Sequence, residues 1–397
     1  MAVVNPQILK WARTQADLSL SDAAKRIKLR EARGKTGAER LAEMEAGTVV
    51  PTRKQLEEMA NGYRQPLINF YLQEPPVPSE RGQDFRTLAY PDHSKNAHLE
   101  ILIRDIKASQ EIVRDLLEDE ESPMLNFIGS ASIHQPPVEV AQMIVKAIHF
   151  DVKKFRSLHP PQKAFEYLRG QVHNLGVFVI LSHNLGSTHT DIPLETFRGF
   201  AIADDTAPFI VINDADAQSA LAFTLLHELV HLWLGTTGIS GELFAPTNHP
   251  IEKFCNQVAG LILLDEQELE EIGIFSSEED LNEKIGKFAQ DRNISRSMVA
   301  YRLFERHILD ERTWRVLVQK FQQEWHASKR RRKEKADGGP NYYVVKRSKL
   351  GRELTRLVNR GLQSGSLTPS KASIVLLGVK PSNVHELISD IPSVGTT

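Results

Sequence analysis

The sequence predicts an α+β protein that is predominantly helical, with a small sheet confined to its middle. Three observations carry this reading. Apolar residues recur at three- and four-residue spacing over most of the chain, from Ile8 and Leu9 to the stretch around 297–307. β-Branched and aromatic runs, broken by Gly, Asn and Asp, occur only at Val177–Ser182, Phe197–Ala203 and Pro208–Asn213. A Pro-rich polar stretch at 75–92, PPVPSERGQDFRTLAYPD, sets a short N-terminal module apart from the rest.

Each element follows from local signals. Ile8, Leu9 and Trp11 mark a first helix over 5–16, and Ser19 caps a second one that buries Ala23, Ala24 and Ile27. After the polar REARGKTG segment comes AERLAEMEAGTVVPT, where Gly47 stops one helix and Pro51 opens the next, roughly 52–62. Leu99, Ile103, Ile106, Val113 and Leu117 predict a long helix ended by Glu118–Glu121 and Pro123. Helical spacing returns over 137–175. The third strand leads into DADAQSALAFTLLHELVHLWLG, a helix with Asp214 or Asp216 as cap and Gly235 as stop. Further helices are expected at 251–271 and 297–307.

Composition excludes several classes. At 397 residues and ~150 per domain, two or three units are expected. With 41% hydrophobic and 25% charged residues, wholesale disorder and fibrous repeats are out. Because 49 Lys+Arg nearly balance 51 Asp+Glu, only local patches can speak about partners. The single cysteine, Cys255, rules out a disulfide framework or a Cys-rich zinc ribbon. No apolar run nears the ~18 residues of a membrane span, so no membrane association is expected. The opening MAVVNPQILKWARTQ lacks a basic-then-apolar leader, which makes the cytoplasm the expected location.

One motif carries chemistry: His227-Glu228-Leu229-Val230-His231. Two histidines four apart share a helix face, so both imidazoles can reach one ion. Zn²⁺ suits such ligands and keeps one position for water, which Glu228 would deprotonate as general base. The flanking Leu225, Leu226, Leu229, Val230 and Leu232 make the helix a buried one, where unpartnered polar groups would cost several kcal/mol. A third ligand must come from elsewhere. Glu252 and Cys255 in PIEKFCNQVAGLILL are both candidates, and composition does not choose between them. His249 is a candidate oxyanion donor, although a loop histidine is more often merely exposed.

FTLLHELVHLWLG followed by IEKFCNQVAGLILL resembles the ImmA/IrrE family of zinc metallopeptidases, whose second motif has the form E-x-x-(A/C)-N-x-x-A. FRGFAIADDTAPFIVIND and ISRSMVAYRL resemble the preceding sheet and the trailing helix. The resemblance implies a zincin-like (gluzincin) domain over 131–310, with zinc held by His227, His231 and Glu252 and with Glu228 catalytic. Here Leu263-Leu264 runs into Asp265 where the family usually places a proline. Residues 1–75 resemble an XRE-type helix-turn-helix: MEAGTVVPT matches its W-E-x-G-x-x-x-P exit with Met44 in place of Trp, and REARGKTG lengthens the turn. That implies a DNA-binding head with Arg33, Lys35 and Arg40 as candidate contacts. Such heads commonly pair on two half-sites, which makes a homodimer an expectation. Residues 76–130 would be linker and connecting helix, and 311–397 a basic, helical C-terminal region.

The function implied is a zinc endopeptidase acting on a protein substrate, a transcriptional repressor or antitoxin, to control stress, mobile-element or phage-related genes. The alternative is a DNA-binding regulator or antitoxin whose zinc domain senses a ligand or holds a partner without proteolysis. Residues 329–360 carry 12 basic and 3 acidic residues, and KRRRKEK at 329–335 reads as a solvated linker before Gly338-Gly339-Pro340. Residues 265–283 hold nine acidic residues and no Lys or Arg, a second charged face for protein contacts.

Overall fold

The computed structural model describes residues 4–16, 18–75, 83–84, 93–186, 190–240, 249–335 and 341–389. Most of the Pro-rich junction at 75–92, and Gly338-Gly339-Pro340, lie outside these residues. The chain divides into two compact units, Met1–Arg81 with Tyr90–Ile103, and Gly82–Ala89 with Arg104–Thr397.

The first unit holds α1 (Pro6–Gln15), α2 (Leu20–Arg26), α3 (Gly37–Glu45) and α4 (Arg53–Tyr63), closed by a 3₁₀ turn at Leu67–Tyr71. Ser19 caps α2 through Asp22 N. Thr36 and Thr52 head capping boxes with Glu39 and Gln55. Pro51 therefore does not open α4. It precedes the cap, because the threonine hydroxyl and the Gln55 amide satisfy end groups that a proline cannot. Ile8, Leu9, Leu41, Met44, Leu56 and Met59 fill a common core. The REARGKTG segment forms a tight hairpin in which Ala32 and Lys35 exchange backbone hydrogen bonds of 3.1 Å around Arg33 and Gly34. Both turn residues have positive φ, +56° and +71°, which Gly34 adopts freely.

Residues His93–Asp119 form α5, the long helix expected from its apolar spacing. In the second unit α6 (Pro137–Ala147), α7 (Val152–Ser157) and α8 (Pro161–Asn174) precede the sheet. Phe178–Leu181 (β2), Gly199–Ile202 (β3) and Phe209–Ile212 (β4) match the three expected runs. The structure adds two short strands, β1 (Gln83–Asp84) and β5 (Gly238–Ser240), that lack a β-rich signature. The order is β1-β5-β3-β4-β2, with β3 antiparallel to both neighbours and the outer pairs parallel. Against β3 and β4 packs α9 (Gln218–Trp233), in which every residue from Ala220 to Trp233 is buried. A helix apolar on all sides belongs inside a core.

The start of α9 differs from expectation. Ala217 holds the N-cap position and no side chain caps it. Asp216 instead pairs with Arg198, and Asp214 with His183 at 2.6 Å and Lys349 at 2.8 Å. Both carboxylates are spent on ion pairs that tie neighbouring segments together. Gly235 ends the helix at φ +65°, where a Cβ would lie 3.0 Å from Gly129 Cα. Such crowding by backbone leaves glycine as the residue that fits.

After α9 come α10 (Pro250–Leu263), α11 (Glu278–Asp291), α12 (Arg296–Glu305), α13 (Glu311–Lys335), α14 (Tyr342–Leu350), α15 (Arg352–Ser364), α16 (Pro369–Val375) and α17 (Val384–Ile388). Lys329–Lys335 is thus the last part of a 25-residue helix, not a linker. Part of the acidic 265–283 segment is matched within the unit: Glu268 meets Arg156 at 2.8 Å and Arg292 at 3.0 Å, and Glu266 meets Arg306 at 2.6 Å. Among the described residues no helix is long and apolar enough to cross a membrane.

Candidate metal centre

His227 and His231 stand one turn apart on α9, and their Nε2 atoms are 3.2 Å from each other. Helix α10 packs beside α9 and brings Glu252 into its first turn. One Glu252 oxygen is 3.1 Å from His227 Nε2 and the other 3.0 Å from His231 Nε2. Three donors from two helices therefore converge. Position in the first turn of α10 also places the carboxylate at the positive end of that helix dipole.

The surroundings orient these donors. Thr236 Oγ1, just past the Gly235 stop, lies 3.0 Å from His231 Nδ1 and turns Nε2 inward. Burial works to raise the Glu252 carboxyl, yet the two imidazoles, His227 first, hold it down at about 2. Burial likewise opposes charging of either histidine. At His227 the neighbouring Glu252 outweighs burial and the imidazole is raised, whereas at His231 burial prevails and it is lowered. His227, Glu228 and His231 are all 0% exposed, and Glu252 is 5% exposed.

Cys255, one turn beyond Glu252, is the rival ligand. Its sulfur and the nearest nitrogens of His227 and His231 lie within 4.8 Å of one another. Burial, and then the charges of Glu252 and Glu228, push this thiol well above its ordinary range, so it is protonated. Glu252 has the closer contacts and is ionised. Asn256, on the same turn of α10, interacts with His227 and with Tyr301.

Glu228, one residue step round α9 from His227, lays its side chain against β3, and its charge still bears on His227. A Cβ at Gly199 in β3 would fall 2.6 Å from Glu228 Oε1 and 2.8 Å from its Cγ. The space that the Glu228 side chain occupies thus exists because residue 199 has no side chain. Gly199 was not among the expected site residues. Its signal was present, since a glycine inside a strand marks close approach of another group. Gly199→Ala is expected to displace Glu228 while leaving both imidazoles in place. Metal content should stay unchanged, whereas any activity that depends on Glu228 should fall at least about tenfold; intact activity would show that the contact is slack.

His249 sits at the N-cap of α10 and is exposed. Its charge bears on His231. The candidate DNA contacts lie in the first unit. Arg33 is exposed at the hairpin tip, Lys35 pairs with Glu43, and Arg40 Nη1 donates to Arg30 O at 2.6 Å. Two of the three are therefore engaged within their own module.

A model of peptidase family M78, described as the IrrE N-terminal-like domain, matches residues 179–304. That span takes in the sheet from β2, all of α9 and α10, and nearly all of α12. It supports the ImmA/IrrE family and a metallopeptidase type of activity for this part of the chain. No curated protein and no solved structure matches the chain.

Proposed function

We propose that the second unit is a zinc-dependent endopeptidase of the HExxH…E gluzincin type, with His227, His231 and Glu252 as ligands and Glu228 as general base. The observation that carries this reading is that Glu252 sets one carboxylate oxygen 3.1 Å from His227 Nε2 and the other 3.0 Å from His231 Nε2, with the two Nε2 atoms 3.2 Å apart. Tetrahedral ligands on bonds of about 2.0–2.1 Å stand about 3.3 Å apart, and the His227–His231 separation of 3.2 Å, with a carboxylate against both imidazoles, suits Zn²⁺. When bound, the ion would polarise a scissile carbonyl and make water acidic enough to attack it near neutral pH. Glu228 takes the proton from the attacking water and returns it to the leaving amine nitrogen. His231, braced by Thr236, keeps its Nε2 aimed at the ion.

In the same proposal the substrate is a protein regulator, a repressor or antitoxin whose cleavage releases stress, mobile-element or phage-related genes. The first unit serves as an XRE-like DNA-binding head through Arg33, Lys35 and Arg40, pairing as a homodimer, and the protein acts in the cytoplasm. A second reading draws on the complete burial of His227, Glu228 and His231: a DNA-binding regulator whose zinc domain senses or docks without hydrolysis. Cleavage of a neighbouring regulator by the wild-type chain separates the two.

Metal analysis tests the ligand set. Wild-type protein should carry one zinc per chain. Glu252→Ala should weaken zinc binding by at least about 100-fold, beyond the 10–100-fold typical of a supporting residue, and Cys255→Ala should leave it nearly unchanged. Zinc loss in the Cys255 variant with retention in the Glu252 variant would reverse the assignment.

A further inference from the structure

Helix α13 changes character along its length. In its first half Trp314, Leu317 and Phe321 recur at three- and four-residue spacing and are buried in the core of the second unit. Beyond Phe321 no described residue of the helix is buried. The core-facing side continues with the half-buried Trp325 and Ser328. Lys329 follows at its edge, its ammonium 4.7 Å over the Trp325 ring and donating to Ala215 O at 2.9 Å. Gln323, His326, Ala327, Arg330 and Arg331 lie on the outward side and are exposed.

Positive charge collects at this end. Residues 329–335 are Lys-Arg-Arg-Arg-Lys-Glu-Lys, six cations and one anion. Glu324, the acid before them, is taken by Arg296 at 2.7 Å. Arg330 and Arg331 make no ion pair among the described residues. The helix itself does not call for so much charge. Cations in a last turn gain about 0.3–1 kcal/mol from the helix dipole, which accounts for residues 332–335 alone. Like charges four apart, such as Lys329 with Lys333 and Arg331 with Lys335, cost about 0.2–0.5 kcal/mol each. A self-repelling run that is helical and turned to solvent calls for an anion from outside the chain.

Charge density and the rest of the face select that partner. At 1.5 Å per residue the run covers about 10 Å, one cation per about 1.8 Å of axis. Duplex DNA carries one phosphate charge per about 1.7 Å. A helix about 10–12 Å across also enters the B-form major groove, about 12 Å wide, whereas the deep A-form groove of RNA is too narrow. An anionic membrane is a poorer match. A helix lying in a membrane surface needs an apolar face, and that of α13 is spent on the core.

We propose that the C-terminal half of α13 is a DNA-contacting surface. It grips the phosphate backbone of a duplex without regard to sequence, through Arg330, Arg331 and the basic residues that follow. The surface belongs to the second unit and is separate from Arg33, Lys35 and Arg40 of the first. It stands whether or not the metal centre hydrolyses peptides.

The test uses the full chain and a fluorescent DNA duplex of about 30 base pairs and arbitrary sequence, titrated between about 50 and 200 mM salt. Wild-type affinity should fall linearly with salt on logarithmic axes. Arg330→Gln/Arg331→Gln should weaken binding at least about tenfold at 100 mM salt and make the slope shallower by about 1.8, about 0.9 for each lost phosphate contact. Both residues are exposed and glutamine is a good helix former, so the fold should be unchanged. Arg330→Lys/Arg331→Lys should restore affinity and slope, because such a contact reads charge. The loss should also appear in a background of Arg33→Gln/Lys35→Gln/Arg40→Gln; its disappearance there would place DNA on the first unit alone and overturn the proposal. Wild-type affinity and slope in the α13 glutamine variant, or no binding of the duplex by wild type at 50 mM salt, would overturn it as well. Tighter binding of an RNA duplex of equal length, or of vesicles containing phosphatidylserine, lost in that same variant, would make the helix an RNA or membrane contact instead.

Discussion

Glu228→Gln should abolish peptide cleavage and leave one zinc per chain. The exchange keeps the side-chain volume, so the tight contact with Gly199 is preserved and α9 need not shift. It removes only the capacity to take a proton from water. Loss of a positioned general base typically costs about 10²–10⁴ in rate. The proposed ligands are untouched, because His227 and His231 face Glu252 while the Glu228 side chain lies against β3. Parallel measurement of zinc content and of cleavage of a candidate repressor checks both halves. Cleavage within about threefold of wild type would remove Glu228 from the chemistry, whereas joint loss of zinc and cleavage would mean that the residue serves the fold.

The largest expected effect on stability belongs to Arg169. This buried side chain in α8 donates to Val179 O in β2 and to Ser348 O and Lys349 O at the end of α14, at 2.5–3.2 Å. Burial lowers it to about 10, which still leaves it charged at neutral pH. One guanidinium thus ties the C-terminal helices to the sheet. Gly351 allows the approach: at φ +84° a Cβ there would sit 2.9 Å from Arg169 and from His173. Arg169→Met fills similar space but leaves three carbonyls without their donor. At about 1–3 kcal/mol for each unsatisfied group, a loss of about 3–5 kcal/mol is expected. Arg169→Lys should rescue little, since an ammonium lacks the planar fork. Hydrogen exchange over residues 342–350 is the most direct measurement. Protection there equal to wild type in Arg169→Met would show that α14 is held by its apolar contacts instead.

The parts of this protein that were legible in the sequence are those encoded within one element. Helical spacing of apolar residues, Ser19 as a cap, Gly235 as a stop and the three β-rich runs each report a local preference. The HELVH pattern belongs with them, because spacing along a single helix places both imidazoles on one face. Other features arise between elements. Strands β1 and β5 are short and carry no β-rich run, so only pairing with partners remote in sequence makes them strands. Asp214 and Asp216 have the chemistry of helix caps, but packing delivers His183, Lys349 and Arg198 to them first. The basic 329–335 run reads as linker by composition, yet it continues a helix begun at Glu311.

The chain's own order of residues was enough to establish a mostly helical protein with a small central sheet and a His-Glu-His motif on a buried helix. Whether Glu252 or Cys255 faces those histidines could be decided only by how α10 rolls against α9. One helix turn separates the two candidates, and which side chain meets the imidazoles depends on that rotation. The same holds for Gly199 and Glu228, neighbours across a strand and a helix with 28 residues of chain between them. Local propensity has no reach over such a separation, and it is close packing of the folded core that brings them into contact.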